Sequence, residues 1–316
     1  MAVKFIKILF IFLLPLVIAY TCTEYLLSAA ENIYTVKKRM LEQEKDSLQV
    51  LIAGTSQTFH SLNPALFNRP SLNLAAPTQP LYYDCQIILK HLSQLKKLRL
   101  VIIPIDYITL FSDANKNSYY LLNYYHFWNI DNPVLSKTDV RRYSLLAYFK
   151  PATCREMIAE MITEKKINIR MEDKEMLDNG FEPLDAPADT SRFDESAAKL
   201  MGNWNATQLS KNYFDGNTKR LNELINTLQE KKIKVLLFTT PVTQYIYKRH
   251  DSIFMAMRSD FLKSIVSRFS NVTYADFSLD QRFSIKDFYD PDHLDAAGAA
   301  KFSNIIRYEY IDQMIH

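Results

Sequence analysis

Two short stretches at opposite ends of the chain carry hydroxyl, carboxylate and imidazole groups in an order that suits nucleophilic chemistry. Gly54-Thr55-Ser56-Gln57 directly follows the apolar run Leu48 to Ala53, and Asp290-Pro291-Asp292-His293-Leu294-Asp295-Ala296-Ala297-Gly298 lies near the other terminus. A serine at the sharp exit of a strand can present its hydroxyl above a sheet edge. A histidine three residues after an aspartate can take the serine's proton while the aspartate holds the other ring nitrogen and stabilises the imidazolium. Gly54 is one of only five glycines, and its place after the first predicted strand points to a tight turn. The same residues also have plainer roles: Thr55 and Ser56 suit the cap of a following helix, and Asp292 or Asp295 suits the cap of the last one. The two kinds of role are compatible.

The elements that must bring these ends together are legible as alternating apolar runs. Val50 to Ala53, Ser71 to Ala75, Leu98 to Ile105, Lys234 to Thr239 and Val272 to Ala275 read as strands. Pro80 to Leu95 places Leu81, Cys85, Ile88, Leu89 and Leu92 on one helical face, and Thr218 to Glu230 does the same with Leu221, Leu224, Ile225 and Leu228. Phe254 to Phe269 and Ala297 to Ile311 are similar. Near-continuous apolar strands alternating with helices predict an α/β fold with a parallel sheet covered on both faces, and ligands at the strands' carboxyl ends. The alternation fails between about 107 and 214, which reads as an inserted cap with aromatic clusters at Tyr119-Tyr120 and Tyr124-Tyr125-His126-Phe127-Trp128. Those rings suit either a sugar groove or the packed core of a helical insertion. Within the insertion, Glu172 to Glu195 is acidic, holds Gly180, Pro183 and Pro187, and reads as a loop or poorly ordered segment.

With 316 residues and 48% hydrophobic content, the chain can bury a large core. Its net charge of +3 comes from basic and acidic residues interspersed along the helices, which gives no footprint for nucleic acid. Cys22, Cys85 and Cys154 have neither metal spacing nor a Cys-x-x-Cys pair, and His60, His91, His126, His250 and His316 lack a second ligand at helical spacing. No metal site, disulfide framework or cofactor is implied. Residues 1–29 read as an uncleaved membrane anchor: Phe5 to Leu27 supplies the ~20 residues a span needs, with Lys7 and Glu24 at the two interfaces. Ala19-Tyr20-Thr21 is a poor cleavage site, and Ala19 stands where a lipoprotein signal at Cys22 wants leucine. Lys37-Lys38-Arg39 outnumber Lys4 and Lys7, so charge does not set the direction of insertion. Residues 30–47 suit a helical stalk, and 48–316 form the folded domain around its insertion.

The Ser56 block after the first strand and the Asp290-x-x-His293 block before the last helix resemble the SGNH/GDSL hydrolase superfamily. The strings Gly54-Thr55-Ser56, Asn73-Leu74-Ala75-Ala76-Pro77-Thr78-Gln79, Phe238-Thr239-Thr240-Pro241 and Asp290-x-Asp292-His293-Leu294 with Gly298 most resemble its membrane-anchored branch. That branch includes the D-alanyl-transfer protein of teichoic acid and the alginate and peptidoglycan O-acetylation proteins. The resemblance runs from about Val50 to Ile311 and leaves the cap unmatched. It implies a three-layer flavodoxin-like sheet, with Ser56 as nucleophile, His293 as base and Asp290 as its orienting carboxylate. The Ser56 and Ala76 amides would hold the oxyanion, and Asn73 and Gln79 would contact substrate. It also implies an extracytoplasmic acyltransferase or esterase acting on O-acyl groups, acetyl above all, of a cell-surface glycan, beside a membrane-bound O-acyltransferase. Two positions depart from the pattern. No glycine stands between Asn73 and Gln79, and Ile103-Pro104-Ile105-Asp106 has an aspartate where the superfamily offers an oxyanion-binding asparagine. An ionised Asp106 would repel a developing oxyanion, and the loss of one donor costs ~10²–10³ in rate. Transfer, hydrolysis and a catalytically silent assembly subunit therefore all stay open.

Overall fold

The five apolar runs become the five strands of one sheet: β1 (Val50–Ile52), β2 (Ser71–Asn73), β3 (Leu100–Pro104), β4 (Lys234–Thr239) and β5 (Val272–Asp276). All are parallel, in the order β2-β1-β3-β4-β5, with Val50 opposite both Ser71 and Leu100, Ile102 opposite Leu236, and Leu237 opposite Tyr274. This is the flavodoxin-like order, whose direction of growth reverses beside the first strand and opens a crevice at the carboxyl ends there. The computed structural model describes residues 2–113, 121–132, 134–167, 176–185 and 195–315.

The helices are α1 (Ala2–Ala29), α2 (Ile33–Glu44), α3 (Ser56–Ser61), α4 (Leu81–His91), α5 (Leu121–Trp128), α6 (Leu145–Tyr148), α7 (Pro151–Glu164), α8 (Glu195–Gln208), α9 (Phe214–Glu230), α10 (Gln244–Tyr247), α11 (Ser252–Arg268) and α12 (Ala296–Ile306). Pro80 stands at the cap of α4, where its missing N–H costs nothing, and the Asp251 carboxylate caps α11 by accepting from Ile253 N. The last helix ends five residues earlier than its pattern suggests, passing into a π-helical turn over Arg307–Ile311.

By contact the chain divides into two compact units, 1–36 with 116–174 and 37–115 with 175–316. The second contains the sheet. Successive strand residues point to opposite faces, so Val50, Ile52, Leu100, Ile102, Leu236, Phe238 and Ala275 form one core with Leu62, Phe67, Phe302 and Ile306. Leu51, Val101, Ile103, Val235 and Leu237 point the other way and are equally buried, as are Leu221, Leu224, Ile225 and Leu228 of α9. Every position of β1 and β3 is buried, which is why neither reads as polar-apolar alternation. Each fully buried side chain of this size contributes ~1.5–3 kcal/mol, so both faces anchor the loops that leave the strands.

The first unit holds α1, α5, α6 and α7. Lys4–Ala29 is long and apolar enough to cross a membrane, and its apolar side chains from Phe5 to Ile18 are exposed. In α5, Tyr124, Phe127 and Trp128 are buried, with the Tyr124 ring edge-on to Tyr34 at 5.0 Å, so these aromatics pack as core rather than line a groove. Tyr119-Tyr120 lie outside the described residues, as do 172–175 and 186–194 of the acidic segment. Its described part, 176–185, is a loop bonded to the sheet unit through Asn73 N to Asn179 O (2.9 Å) and Ala296 N to Leu184 O (2.8 Å).

Candidate active site

β1 ends in a turn that only glycine fits. Gly54 has φ +133°, and a Cβ there would lie 2.4 Å from Pro104 Cγ and 2.7 Å from Thr58 Oγ1. Its N–H donates to the buried Asp84 carboxylate (2.9 Å), which also accepts from Gln79 Nε2. Burial pushes Asp84 up to about 7 while those two bonds pull it down. Thr55 is extended and Ser56 opens α3, so the chain reverses within three residues and lifts the Ser56 hydroxyl to the sheet's rim.

The other half comes from the loop before α12. Phe288 and Leu294 pair as an isolated antiparallel bridge that closes this loop. Within it Asp290 Oδ1 accepts from the N–H groups of Asp292 (3.0 Å) and His293 (2.9 Å), a local turn that fixes the carboxylate against the ring it serves. His293 Nδ1 lies 2.9 and 3.0 Å from the two Asp290 oxygens, and its Nε2 lies 2.9 Å from Ser56 Oγ. The structure thus brings Ser56, His293 and Asp290 into one hydrogen-bonded row. Two carboxylates at Nδ1 keep the proton on that nitrogen and leave Nε2 to accept from serine. The loop is held from two sides: Gln57 Nε2 donates to Asp292 O (3.1 Å), and Thr243 donates through N (3.0 Å) and Oγ1 (2.9 Å) to Pro291 O.

Asp292 is a member that spacing alone did not single out. The sequence offers it as part of the Asp290-x-Asp292-His293-Leu294 string and as a possible helix cap, yet the cap is Asp295, which accepts from Gly298 N (2.8 Å). Asp292 Oδ1 instead sits 3.0 Å from His293 Nδ1. Burial disfavours the imidazolium, but the Asp292 charge and the Asp290 bonds outweigh it, and His293 is held well above its ordinary value. Burial raises Asp292, whereas at Asp290 burial is outweighed by the His293 bond and charge together with the two backbone N–H groups, and the carboxyl is lowered. Asp290, Asp292 and His293 also form the one cluster among the described residues able to hold a cation, but a proton on Nδ1 already accounts for their geometry.

The remaining expected site residues lie elsewhere. The Ala76 amide donates to Gly54 O (3.1 Å), so it is spent on holding the serine turn and is not free for an oxyanion. Asn73 is fully buried, donating to Thr58 O and Leu62 O and accepting from Ala75 N, and Gln79 is buried against Asp84 and Leu74 O. Both support the site from beneath and do not face substrate. Ser56 N, at the first position of its helix, has no intrahelical acceptor and stays available as a donor. Asp106 is turned inward: its Oδ1 accepts from Thr240 N (2.8 Å) and Oγ1 (2.7 Å), and burial pushes it up to about 6. It lines a cavity of about 30 Å³ with Gln57, Asn205, His250, Arg258 and Asp292, room for one or two waters. Among the described residues, Asp106 Oδ2, His250 Nδ1 and Arg258 Nε find no hydrogen-bond partner, as in a hydrated polar pocket.

His60, scattered by sequence, is one turn after Ser56 on α3. Its ring meets that of His293 edge-on at 5.8 Å, and its Nδ1 donates to Glu182 O (3.0 Å). Burial pushes it down to about 4, so it stays neutral beside the imidazolium. The sequence signal was the four-residue spacing from Ser56, which places both on one helical face.

No known family pattern and no curated protein matches the chain. Among solved structures it is similar to a candidate platelet activating factor from Streptococcus pneumoniae, at 10% identity over 88% of this chain and 92% of that one, with a TM-score of 0.41. It is also similar to a candidate acylhydrolase from Bacteroides fragilis, at 11% identity over 88% and 97%, TM-score 0.41. A third is a GDSL-like lipase from Bacteroides thetaiotaomicron, at 11% identity over 90% and 100%, TM-score 0.39. Likeness this distant decides nothing about chemistry. What the chain itself presents is the parallel 2-1-3-4-5 sheet, with a serine after its first strand hydrogen-bonded to a histidine ahead of its last helix, the arrangement to which the SGNH/GDSL resemblance pointed.

Proposed function

We propose that the chain is a membrane-anchored serine esterase or acyltransferase acting on O-acyl groups, acetyl above all, of a cell-surface glycan. The observation that carries the chemistry is the row Asp290, His293, Ser56, with contacts of 2.9 Å on each side of the ring. Ser56 Oγ attacks the acyl carbonyl as its proton passes to His293 Nε2, and Asp290 and Asp292 stabilise the imidazolium. The Ser56 amide faces the developing oxyanion. His293 then returns the proton to the leaving alcohol, and water or a sugar hydroxyl repeats the steps in reverse to release the acyl group. The apolar α1 supports the anchor, and the resemblance supports an extracytoplasmic domain, a glycan and a membrane-bound O-acyltransferase partner.

The occupied Ala76 amide and inward Asp106 favour a second reading, a non-catalytic assembly subunit that binds the glycan or the acyltransferase. Fluorophosphonate labelling with peptide mapping separates the two. Modification at Ser56 that disappears in His293→Ala, with acetate released from an aryl acetate, supports the enzyme. A folded protein that neither labels nor releases acetate is the subunit. Phenol release that rises with added glycan acceptor, with the acetyl group recovered on the glycan and not as free acetate, marks a transferase.

A further inference from the structure

Within the unit formed by 1–36 and 116–174, the apolar helix is not a bare rod. Glu24, in its last two turns, accepts hydrogen bonds from Ser144 Oγ, Leu145 N (2.9 Å) and Leu146 N (3.0 Å), so a carboxylate of α1 caps the first turn of α6. Helix α7 packs on α1 as well. From Phe5 to Glu24 the helix rises about 29 Å, close to the ~30 Å thickness of a hydrocarbon core. If Phe5 enters the bilayer at one face, Glu24 leaves it at the other, and whatever Glu24 holds lies at headgroup level.

What it holds has a surface suited to that level. Val140 (67% exposed), Tyr143 (67%) and Leu146 (39%) recur every three residues, and Tyr25 of α1 is exposed beside Glu24 in sequence. On α7 the outer edge carries Arg155, Ala159 and Ile162 (71% exposed), followed by Lys165 and Lys166, while Glu156, Glu160 and Glu164 occupy another edge. Exposed large apolar side chains interleaved with cations, with the acidic residues of α7 on another edge and Asp139 paired with Arg141 (2.6 Å), are the composition of a segment lying in a membrane surface. We propose that the segment 137–167 seats on the lipid headgroup layer at the end of α1, inserting Val140, Tyr143, Leu146 and Ile162 and placing Arg155, Lys165 and Lys166 on lipid phosphates. The inference rests on α1 being the anchor, and it gives that anchor a second, lateral hold on the bilayer.

Full-length protein carrying Cys22→Ser is reconstituted in vesicles of phosphatidylcholine with and without phosphatidylglycerol, with an environment-sensitive fluorophore on Leu13→Cys, Val140→Cys, Ile162→Cys or Lys219→Cys. Brominated lipids should quench the label at 140 and 162 about threefold or more above that at 219, with 13 the most quenched. Phosphatidylglycerol should strengthen quenching at 162, and Arg155→Glu with Lys165→Glu and Lys166→Glu should abolish that gain. Quenching at 13 with 140 and 162 no different from 219 overturns the seating and leaves the anchor standing. No quenching at 13 overturns the anchor and the seating together.

Discussion

Two polar clusters share the carboxyl rim of the sheet and use their charges in opposite ways. At Ser56, His293 and Asp290 every side-chain donor has an acceptor, and the row ends at a half-buried hydroxyl that a substrate can reach. Around Asp106 the carboxylate, 4% exposed, bonds inward to Thr240 and ties the end of β3 to the end of β4. The first cluster sits on two loops that leave the strand pattern abruptly; the second continues it. Where the resemblance implies a donor for the oxyanion, this chain has a brace. The contrast teaches that a position matched by alignment inherits a role only if its side chain faces the same way.

The largest test of the contrast removes the row. Ser56→Ala or His293→Ala should lower kcat for an aryl acetate by ~10⁴ or more, and Asp290→Asn by ~10³–10⁴, with steady-state kinetics as the readout. A loss under tenfold for Asp290→Asn would hand the orienting role to Asp292. Next is the turn that presents the serine. Gly54→Ala forces a side chain into φ +133° and onto Pro104, and should destabilise the domain by ~1–3 kcal/mol in urea unfolding and weaken Ser56 labelling.

Asp292 sharpens the electrostatics. His293 must be neutral to accept the serine proton, and its value is raised, so kcat/KM should climb with pH along a limb above the usual 6.5. Asp292→Asn removes the largest contribution favouring the charged ring and should move that limb to lower pH with a smaller loss of kcat than Asp290→Asn. The smallest effect belongs to the brace. Asp106 is raised from 3.8 to about 6, so the stability it contributes is complete below pH 3.8 and is lost as pH rises through 6. That change is on the order of 2–3 kcal/mol. Asp106→Asn keeps an acceptor for Thr240 N and should flatten the change, seen as a loss of pH dependence in Tm between pH 4 and 7, with kcat changed by less than about tenfold.

The sheet was legible because strands buried on both faces are near-continuous apolar runs: four begin at Val50, Ser71, Lys234 and Val272 as read, and the third begins at Leu100, two residues after the Leu98 expected. Gly54 was legible because glycine is rare here and only it adopts this turn. Ser56 and His293 were legible as halves, since each follows a local pattern, but their 2.9 Å contact depends on tertiary structure. Ala76, Asn73 and Gln79 were misjudged for one reason: sequence shows which residues carry donors, not which donors the fold has already used. Asp292 and His60 stand out in sequence only for other reasons, because their place beside the His293 ring depends on tertiary structure.

Gln57 and Asp292, like Ser56 and His293, join segments more than two hundred positions apart. A ribosome therefore finishes the hydroxyl's setting long before it supplies the imidazole. While the chain is still growing, Ser56 lacks the His293 ring to take its proton, and the proposed chemistry waits until the final loop and helix arrive.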